Sequence, residues 1–157
     1  MPPIPGYLRA TRNHGVDPIR GETAEEWLDR LAIIFKAVMR SHPDYAQIRF
    51  IGVADQGREL VRVDQRAGNI RRVEGAELQQ KGETDYFKET IKLGPGSTYV
   101  SAVNLNREHG KIEMPPRPVV RAATPVIGAD GQPVGIVVIN VDFASIARGL
   151  DRQACAS

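Results

Sequence analysis

The sequence has very few of the residues that build metal sites and disulfides. Cys155 is the single cysteine, so no intrachain disulfide can form. The three histidines, His14, His42 and His109, are scattered, and with one thiol they do not give the ligand spacing of a zinc site. We therefore predict no disulfide scaffold, no metal and no cofactor.

Long apolar runs are also missing. No stretch of about 18 apolar residues occurs, so no segment is predicted to span a membrane. The segment Met1–Pro5 has neither the basic region nor the apolar region of a signal peptide. Composition leaves two interpretations open, a cytosolic protein or a soluble piece of a longer chain.

Neither sign of charge is in large excess. The 21 Lys and Arg residues against 19 Asp and Glu residues give a net charge of +2, which is too weak a basic field to indicate a nucleic-acid partner. A chain of 157 residues, 41% hydrophobic and 25% charged, is typical of one soluble globular domain.

The clearest local signal is an amphipathic helix near the N-terminus. Thr23 and Glu26 have the spacing of a capping box. Apolar residues then recur three and four positions apart from Leu28 to Val38, and His42-Pro43 ends the pattern. This predicts a helix over residues 23–40, preceded by a turn-rich lead-in at 1–22.

Further along the chain the apolar period changes from helical to strand-like. Five segments predict strands, and residues 70–73 can add a short one. Asp130-Gly131 predicts a hairpin between the last two strands. The last strand is continuously apolar, as expected for a central strand covered on both faces. The five segments are 47–53, 59–64, 98–104, 119–127 and 134–142.

The remaining segments supply a cover for the sheet. Helical stretches are predicted at 76–80 and 83–92, a polar excursion at 105–118, and a short exit helix from residue 143 to 150. The fold class that follows is α+β, with a five-stranded, mostly antiparallel sheet. The N-terminal amphipathic helix covers one face, and the helical and loop segments cover the other.

Eight segments along the chain carry a resemblance to a known family. They are Tyr45–Ile51, Glu59–Asp64, Leu78–Lys81, Tyr86–Phe87, Tyr99–Ser101, Asn104–Glu108, Val120–Val126 and Gly135–Asp142. In this order they resemble the Cache (PDC, periplasmic PAS-like) sensor domain of bacterial histidine kinases, diguanylate cyclases and chemoreceptors. The resemblance implies a PAS-like fold and a single sensor domain at 23–145, with an exit helix and tail at 146–157.

The resemblance also implies a function. Such a domain is the ligand-sensing input of a transmembrane signalling receptor, and it lies in the periplasm between two membrane helices that this chain does not contain. Its partner would be a small polar or anionic molecule, such as an organic acid or an amino acid. Contact with the membrane would be made only through those flanking helices, and a homodimer is possible in this architecture.

Three arginines lie inside predicted strands, where an unpaired guanidinium group is costly. Arg49, Arg62 and Arg121 can be neutralised in two ways. They can pair with protein carboxylates, or they can reach a pocket and hold a ligand carboxylate through a bidentate contact. The candidate protein partners are Glu59, Asp64 and Glu108.

Tyr86 and Tyr99 combine an aromatic ring with a hydroxyl group, so they can pack in the core or line a pocket. Ser101 lies two residues from Tyr99 and therefore shares its strand face. The candidate ligand-binding residues are Arg49, Arg62, Tyr86, Tyr99, Ser101 and Arg121.

Two other functions are alternatives to ligand sensing. The first is a ligand-free dimerisation or partner-protein-binding module, which an exposed apolar stripe on the 23–40 helix would favour. The second is a small cytosolic hydrolase. No nucleophile has an evident base and orienting group, since Glu108 and His109 are neighbours in one polar turn. We therefore predict that the domain is not an enzyme.

Overall fold

The computed structural model describes residues 2–156, so Met1 and Ser157, the outermost residues of the predicted lead-in and tail, lie outside it. The elements are α1 (Pro3–Arg12), α2 (Ala24–Ser41), β1 (Tyr45–Gly52), the single turn α3 (Ala54–Gly57), β2 (Glu59–Arg66), β3 (Asn69–Val73), a 3-10 turn (Gly75–Glu77), α4 (Asp85–Ile91), β4 (Tyr99–Val100), β5 (Asn104–Leu105), β6 (Arg107–Glu108), β7 (Lys111–Ile112), β8 (Pro118–Ile127), β9 (Pro133–Asp142) and α5 (Phe143–Cys155).

The main sheet has the order β3-β2-β1-β9-β8-β4, with β5 also paired to β8, and every pair is antiparallel. The predicted antiparallel α+β fold is therefore confirmed. The sheet has seven strands rather than five because β3 extends one edge and the predicted strand 98–104 is divided into β4 and β5. The polar excursion at 105–118 contains a separate β6–β7 hairpin.

Helix α2 begins at the predicted capping box. The Thr23 hydroxyl accepts a hydrogen bond from the Glu26 backbone at 3.1 Å, and the Glu26 carboxylate accepts one from the Thr23 backbone at 2.7 Å. The apolar stripe of α2 packs on the β1 and β2 face that carries Phe50 and Val61. The predicted helix on one sheet face is thus confirmed.

The N-terminal segment differs from the predicted turn-rich lead-in, because residues Pro3–Arg12 form α1. This helix packs against α2 so closely that a Cβ atom at Gly6 would clash with the Trp27 ring. Asp17 is fully buried and accepts two hydrogen bonds from Arg9, at 2.6 and 2.9 Å. A long-range contact with α2 therefore stabilises a helix whose own sequence contains glycine and proline.

The opposite sheet face is divided into an apolar half and a polar half. Tyr86 and Phe87 of α4 pack on an apolar half that includes Ile136 and Val138 of β9. The polar half carries buried side chains from four adjacent strands, Gln47, Arg49, Arg62, Arg121 and Asn140. Among residues 2–156, no helix combines the length and the hydropathy needed to cross a membrane.

Candidate functional site

The polar half of the sheet is open to solvent through two clefts. The first, here called the α4 cleft, has a volume of about 610 Å³ and lies between α4, the β4–β5 segment and β8. Five of the six predicted site residues line it: Arg49, Tyr86, Tyr99, Ser101 and Arg121. The second, here called the β2 cleft, has a volume of about 530 Å³, and Arg62 lies there instead.

Arg49 of β1 forms part of the floor of the α4 cleft and is 2% exposed. Its Nη1 lies 3.3 Å from a Glu59 carboxylate oxygen and donates to the Tyr86 hydroxyl at 2.9 Å. Its Nη2 donates to the Asn140 side-chain oxygen at 2.9 Å. The Nε atom is buried and has no hydrogen-bond partner.

Glu59 is the acid that two arginines share. Arg49 and Arg62 lie directly opposite each other in the β1–β2 pair, where like charges destabilise a sheet. The fully buried Glu59 carboxylate lies 3.3 Å from Arg49 and 3.7 Å from Arg62, and it also accepts from the Gln79 backbone at 3.0 Å. One negative charge is thereby divided between two positive charges.

Arg62 has further carboxylate partners of its own. Asp64 accepts two hydrogen bonds from it at 2.8 Å each, and Glu108 lies 3.0 Å from its Nη1. Burial would lower the pKa of Arg62, but Asp64 and Glu108 raise it above the ordinary arginine value. This guanidinium group is therefore neutralised within the protein.

Arg121 of β8 is different, because no carboxylate of residues 2–156 lies within ion-pairing distance of it. Its partners are neutral amides: Asn104, and Asn106 at 3.4 Å. The side chain is 7% exposed, and its Nε atom is buried without a partner. Burial and the like charge of Arg49 lower the pKa of Arg121.

The two tyrosines and the serine form the walls of the α4 cleft. The guanidinium carbons of Arg49 and Arg121 each lie 5.2 Å from the centre of the Tyr86 ring, within cation–π range. Tyr99 of β4 is half-buried opposite Ala123. The Ser101 hydroxyl accepts a hydrogen bond from the Arg121 backbone at 2.9 Å, which helps to hold the segment after β4 against β8.

Sequence reasoning missed several residues of this region. Asn140 lies on the same β9 face as the buried Ile136 and Val138. A polar residue among apolar ones on one strand face could have indicated a buried polar site. Lys81 also lines the α4 cleft, but it lies in an irregular segment without any periodicity that could have identified it. Asn104 and Asn106 lie in the polar loop and contact Arg121.

The β6–β7 hairpin brings Glu108 onto the polar half of the sheet. Its carboxylate accepts hydrogen bonds from Gln47 at 2.9 Å and from Gln79 at 2.7 Å, in addition to the Arg62 ion pair. Burial would raise the pKa of Glu108, but Arg62 and these hydrogen bonds lower it to about 2. Glu108 is therefore ionised throughout the physiological range and fixes the hairpin on the sheet.

The antiparallel sheet, with α2 on one face and α4 beside a polar cleft on the other, has the architecture of a PAS-like domain. The family model "Bacterial histidine kinase, sensor domain" matches residues 20–153, so the chain belongs to this family. The resemblance seen in the sequence is thereby confirmed. No curated protein matches the sequence.

Solved structures share the fold. The extracellular domain described as that of histidine kinase vpHK1S-Z8 is 23% identical with a TM-score of 0.72, and the match covers 90% of this chain and 46% of that one. A domain of a sensory box/GGDEF family protein from Vibrio parahaemolyticus is 23% identical with a TM-score of 0.70, covering 88% and 48%.

A third similar structure contains a ligand. The ligand-binding domain of the Campylobacter jejuni chemoreceptor Tlp3, in complex with L-valine, is 13% identical with a TM-score of 0.55, covering 88% of this chain and 51% of that one. The chain thus spans about half the length of the solved structures it matches. The predicted location outside the cytoplasm agrees with the family and with the extracellular domain above.

The lowered pKa of Glu108 gives a prediction for acid stability. The stabilisation that the ionised Glu108 gives the folded domain is complete above the ordinary glutamate pKa of 4.5. It is lost as pH falls towards the pKa of about 2 that Glu108 has in the folded domain. On acidification the wild type should lose about 1–2 kcal/mol of unfolding free energy through protonation of Glu108, after allowance for solvent screening. Glu108→Gln should not show this part of the loss. Urea unfolding between about pH 6 and pH 2.5 measures this difference.

Glu77→Gln is the matched control. Glu77 lines the β2 cleft, as Glu108 does, but it is exposed and pairs with Arg71. An exposed ion pair contributes little to stability, so this variant should unfold like the wild type. Identical pH profiles for the wild type and Glu108→Gln would contradict the assignment of this ion-pair network.

Proposed function

We propose that this domain is the extracytoplasmic input domain of a transmembrane receptor and that it binds a small anionic molecule in the α4 cleft. The observation that carries the proposal is Arg121, a buried guanidinium group on the floor of the cleft with only neutral protein partners. A ligand carboxylate or phosphate would provide the missing counter-charge.

The hydrogen-bonding capacity of the floor supports this proposal. The Nε atoms of Arg49 and Arg121 are buried and have no partner. Such donors are costly unless something accepts from them. The Tyr86 ring lies beside both guanidinium groups, so an anion bound there would be surrounded by donors and an aromatic wall.

A similar domain binds a molecule with a matching group. L-valine, the ligand of the Tlp3 domain, carries a carboxylate, although the 13% identity to this chain supports the fold and not the ligand. The partner class that we propose for this chain is a small molecule with at least one anionic group.

The contacts of the cleft suggest how binding would change the domain. Asn106 of the cover accepts hydrogen bonds from Arg121 at 3.4 Å and from Asn140 at 3.2 Å. A ligand anion that pairs with Arg121 competes with Asn106 and favours another position of the cover. Asn140 lies on β9, which runs directly into α5, so the shift in population would reach the exit helix.

Arg121→Met tests the proposed binding site. A thermal-shift screen of organic acids and amino acids identifies a ligand, and calorimetry then measures its affinity for each variant. Loss of the contact should weaken binding by about 2–5 kcal/mol. Arg71→Met is the control, because Arg71 is an exposed residue at the other cleft that pairs with Glu77. Equal affinities of Arg121→Met and the wild type would exclude Arg121 as a ligand contact.

A second candidate function is self-association through α2. Ile33 is 65% exposed and Ile34 is 44% exposed, so apolar side chains remain uncovered on this helix. Light scattering over a range of protein concentrations should show a dimer that Ile33→Glu dissociates. A strict monomer, or a dimer that tolerates Ile33→Glu, would contradict association of the domain through this surface.

A further inference from the structure

The α4 cleft contains more positive charge than its buried acid can balance. Arg49, Lys81, Arg107 and Arg121 all line it, and of these Arg107 alone is exposed and solvated. Glu59 is the one fully buried carboxylate near these cations among the described residues, and it is shared with Arg62. Because Arg62 has Asp64 and Glu108 as well, the unbalanced charge lies on the α4-cleft side of the network.

Besides Arg121, Lys81 is the cation withdrawn from solvent in this cleft that forms no ion pair with the described residues, whereas Arg107 at the cleft is exposed. Its ammonium group donates to the Gln79 side-chain oxygen at 2.7 Å, and no carboxylate of residues 2–156 lies within ion-pairing distance of it. Burial lowers the pKa of Lys81 and the positive charge of Arg49 adds to this effect, while Glu59 and Glu108 oppose it without reversing it. The free protein thus holds Lys81 where a nearby anion would stabilise its charged form.

The acids at the mouth of the cleft do not neutralise the floor. The Glu83 side chain is 96% exposed, and its carboxylate pairs with Lys88 at 2.7 Å. Asp85 is exposed in the first turn of α4. Solvent screens both carboxylates, so their interaction with the buried guanidinium groups is weak.

We infer that the ligand of this cleft carries two anionic groups, one bound by Arg49 and Arg121 and the other bound by Lys81. This inference rests on the proposed function and adds Lys81 as the residue that determines ligand charge. The chemical class is that of a small dicarboxylate. A ligand of this kind would supply a counter-charge to the two cations of the cleft that are withdrawn from solvent and form no ion pair within the described part of the chain, Lys81 and Arg121.

A zwitterion would fit the cleft less well. Its ammonium group needs a nearby acceptor of negative charge, and the described acids lining the cleft, Glu83 and Asp85, are exposed at its mouth. An ammonium group on the floor would also add a positive charge beside Arg49 and Arg121, which is unfavourable at short range. An amino acid should therefore bind more weakly than the diacid of similar size.

The test compares diacids with their half-amides, which differ by one charge and little in shape. The probes are malonate, succinate, glutarate and adipate, each with its monoamide, titrated by calorimetry at constant pH and ionic strength. At least one diacid should bind, and its monoamide should bind about tenfold or more weakly. Aspartate, the amino derivative of succinate, should also bind more weakly than succinate.

Variants identify the residue responsible. Lys81→Met should reduce the affinity for the diacid to that for its monoamide and leave the affinity for the monoamide unchanged. Lys81→Arg should restore most of the preference, which separates a charge effect from a folding defect. Lys88→Met is the control, because Lys88 is an exposed lysine that pairs with Glu83 on the outside of α4.

Three outcomes would overturn the inference: no binding by any diacid, a monoamide that binds as tightly as its diacid, or an unchanged diacid preference in Lys81→Met. Arg121→Met separates these failures from failure of the proposed function. If a monoanion binds and Arg121→Met weakens it, the anion site stands and the dianion inference falls. If Arg121→Met has no effect on any bound anion, the proposed site falls as well.

Discussion

The structure depends on how three guanidinium groups are neutralised on one face of a β-sheet. A buried charge is tolerated only when a counter-charge and hydrogen bonds replace water. Arg62 meets this requirement fully through Asp64, and Arg49 meets it through a share of Glu59 and two neutral partners. Arg121 meets it only with amides. Across the sheet, Arg62 therefore has the most protein counter-charge and Arg121 the least.

The same polar network connects the cover to the sheet. Glu108 attaches the β6–β7 hairpin to Arg62, while Asn106, two residues earlier, contacts Arg121 and Asn140. The ion-paired contact of Glu108 and the neutral contacts of Asn106 therefore lie next to each other on one short segment. The apolar core under α2 lies on the other sheet face, so the ligand response that we propose for the cover would not require repacking of that core.

Local signals predicted the parts of the fold that local physics decides. The capping box at Thr23 gave the start of α2, whereas α1 depends on the long-range contact of Gly6 with Trp27 and could not be seen in its own sequence. The pairing of Arg62 with Asp64 was open to prediction, because residues two apart in a strand share a face. The isolation of Arg121 was not, since it depends on which acids the folded chain leaves elsewhere.

We propose that Arg121 is held without a counter-charge until a ligand binds, and the unfolding free energy of the ligand-free domain tests this most directly. Removing an uncompensated buried charge should leave stability unchanged or increase it, whereas breaking a buried ion pair costs about 3–5 kcal/mol. Urea unfolding of Arg121→Met should therefore give a free energy equal to or above that of the wild type, while Arg49→Met, which leaves Glu59 with a weaker partner, should be destabilised. A loss of several kcal/mol in Arg121→Met would show that Arg121 is a structural residue and would contradict the account.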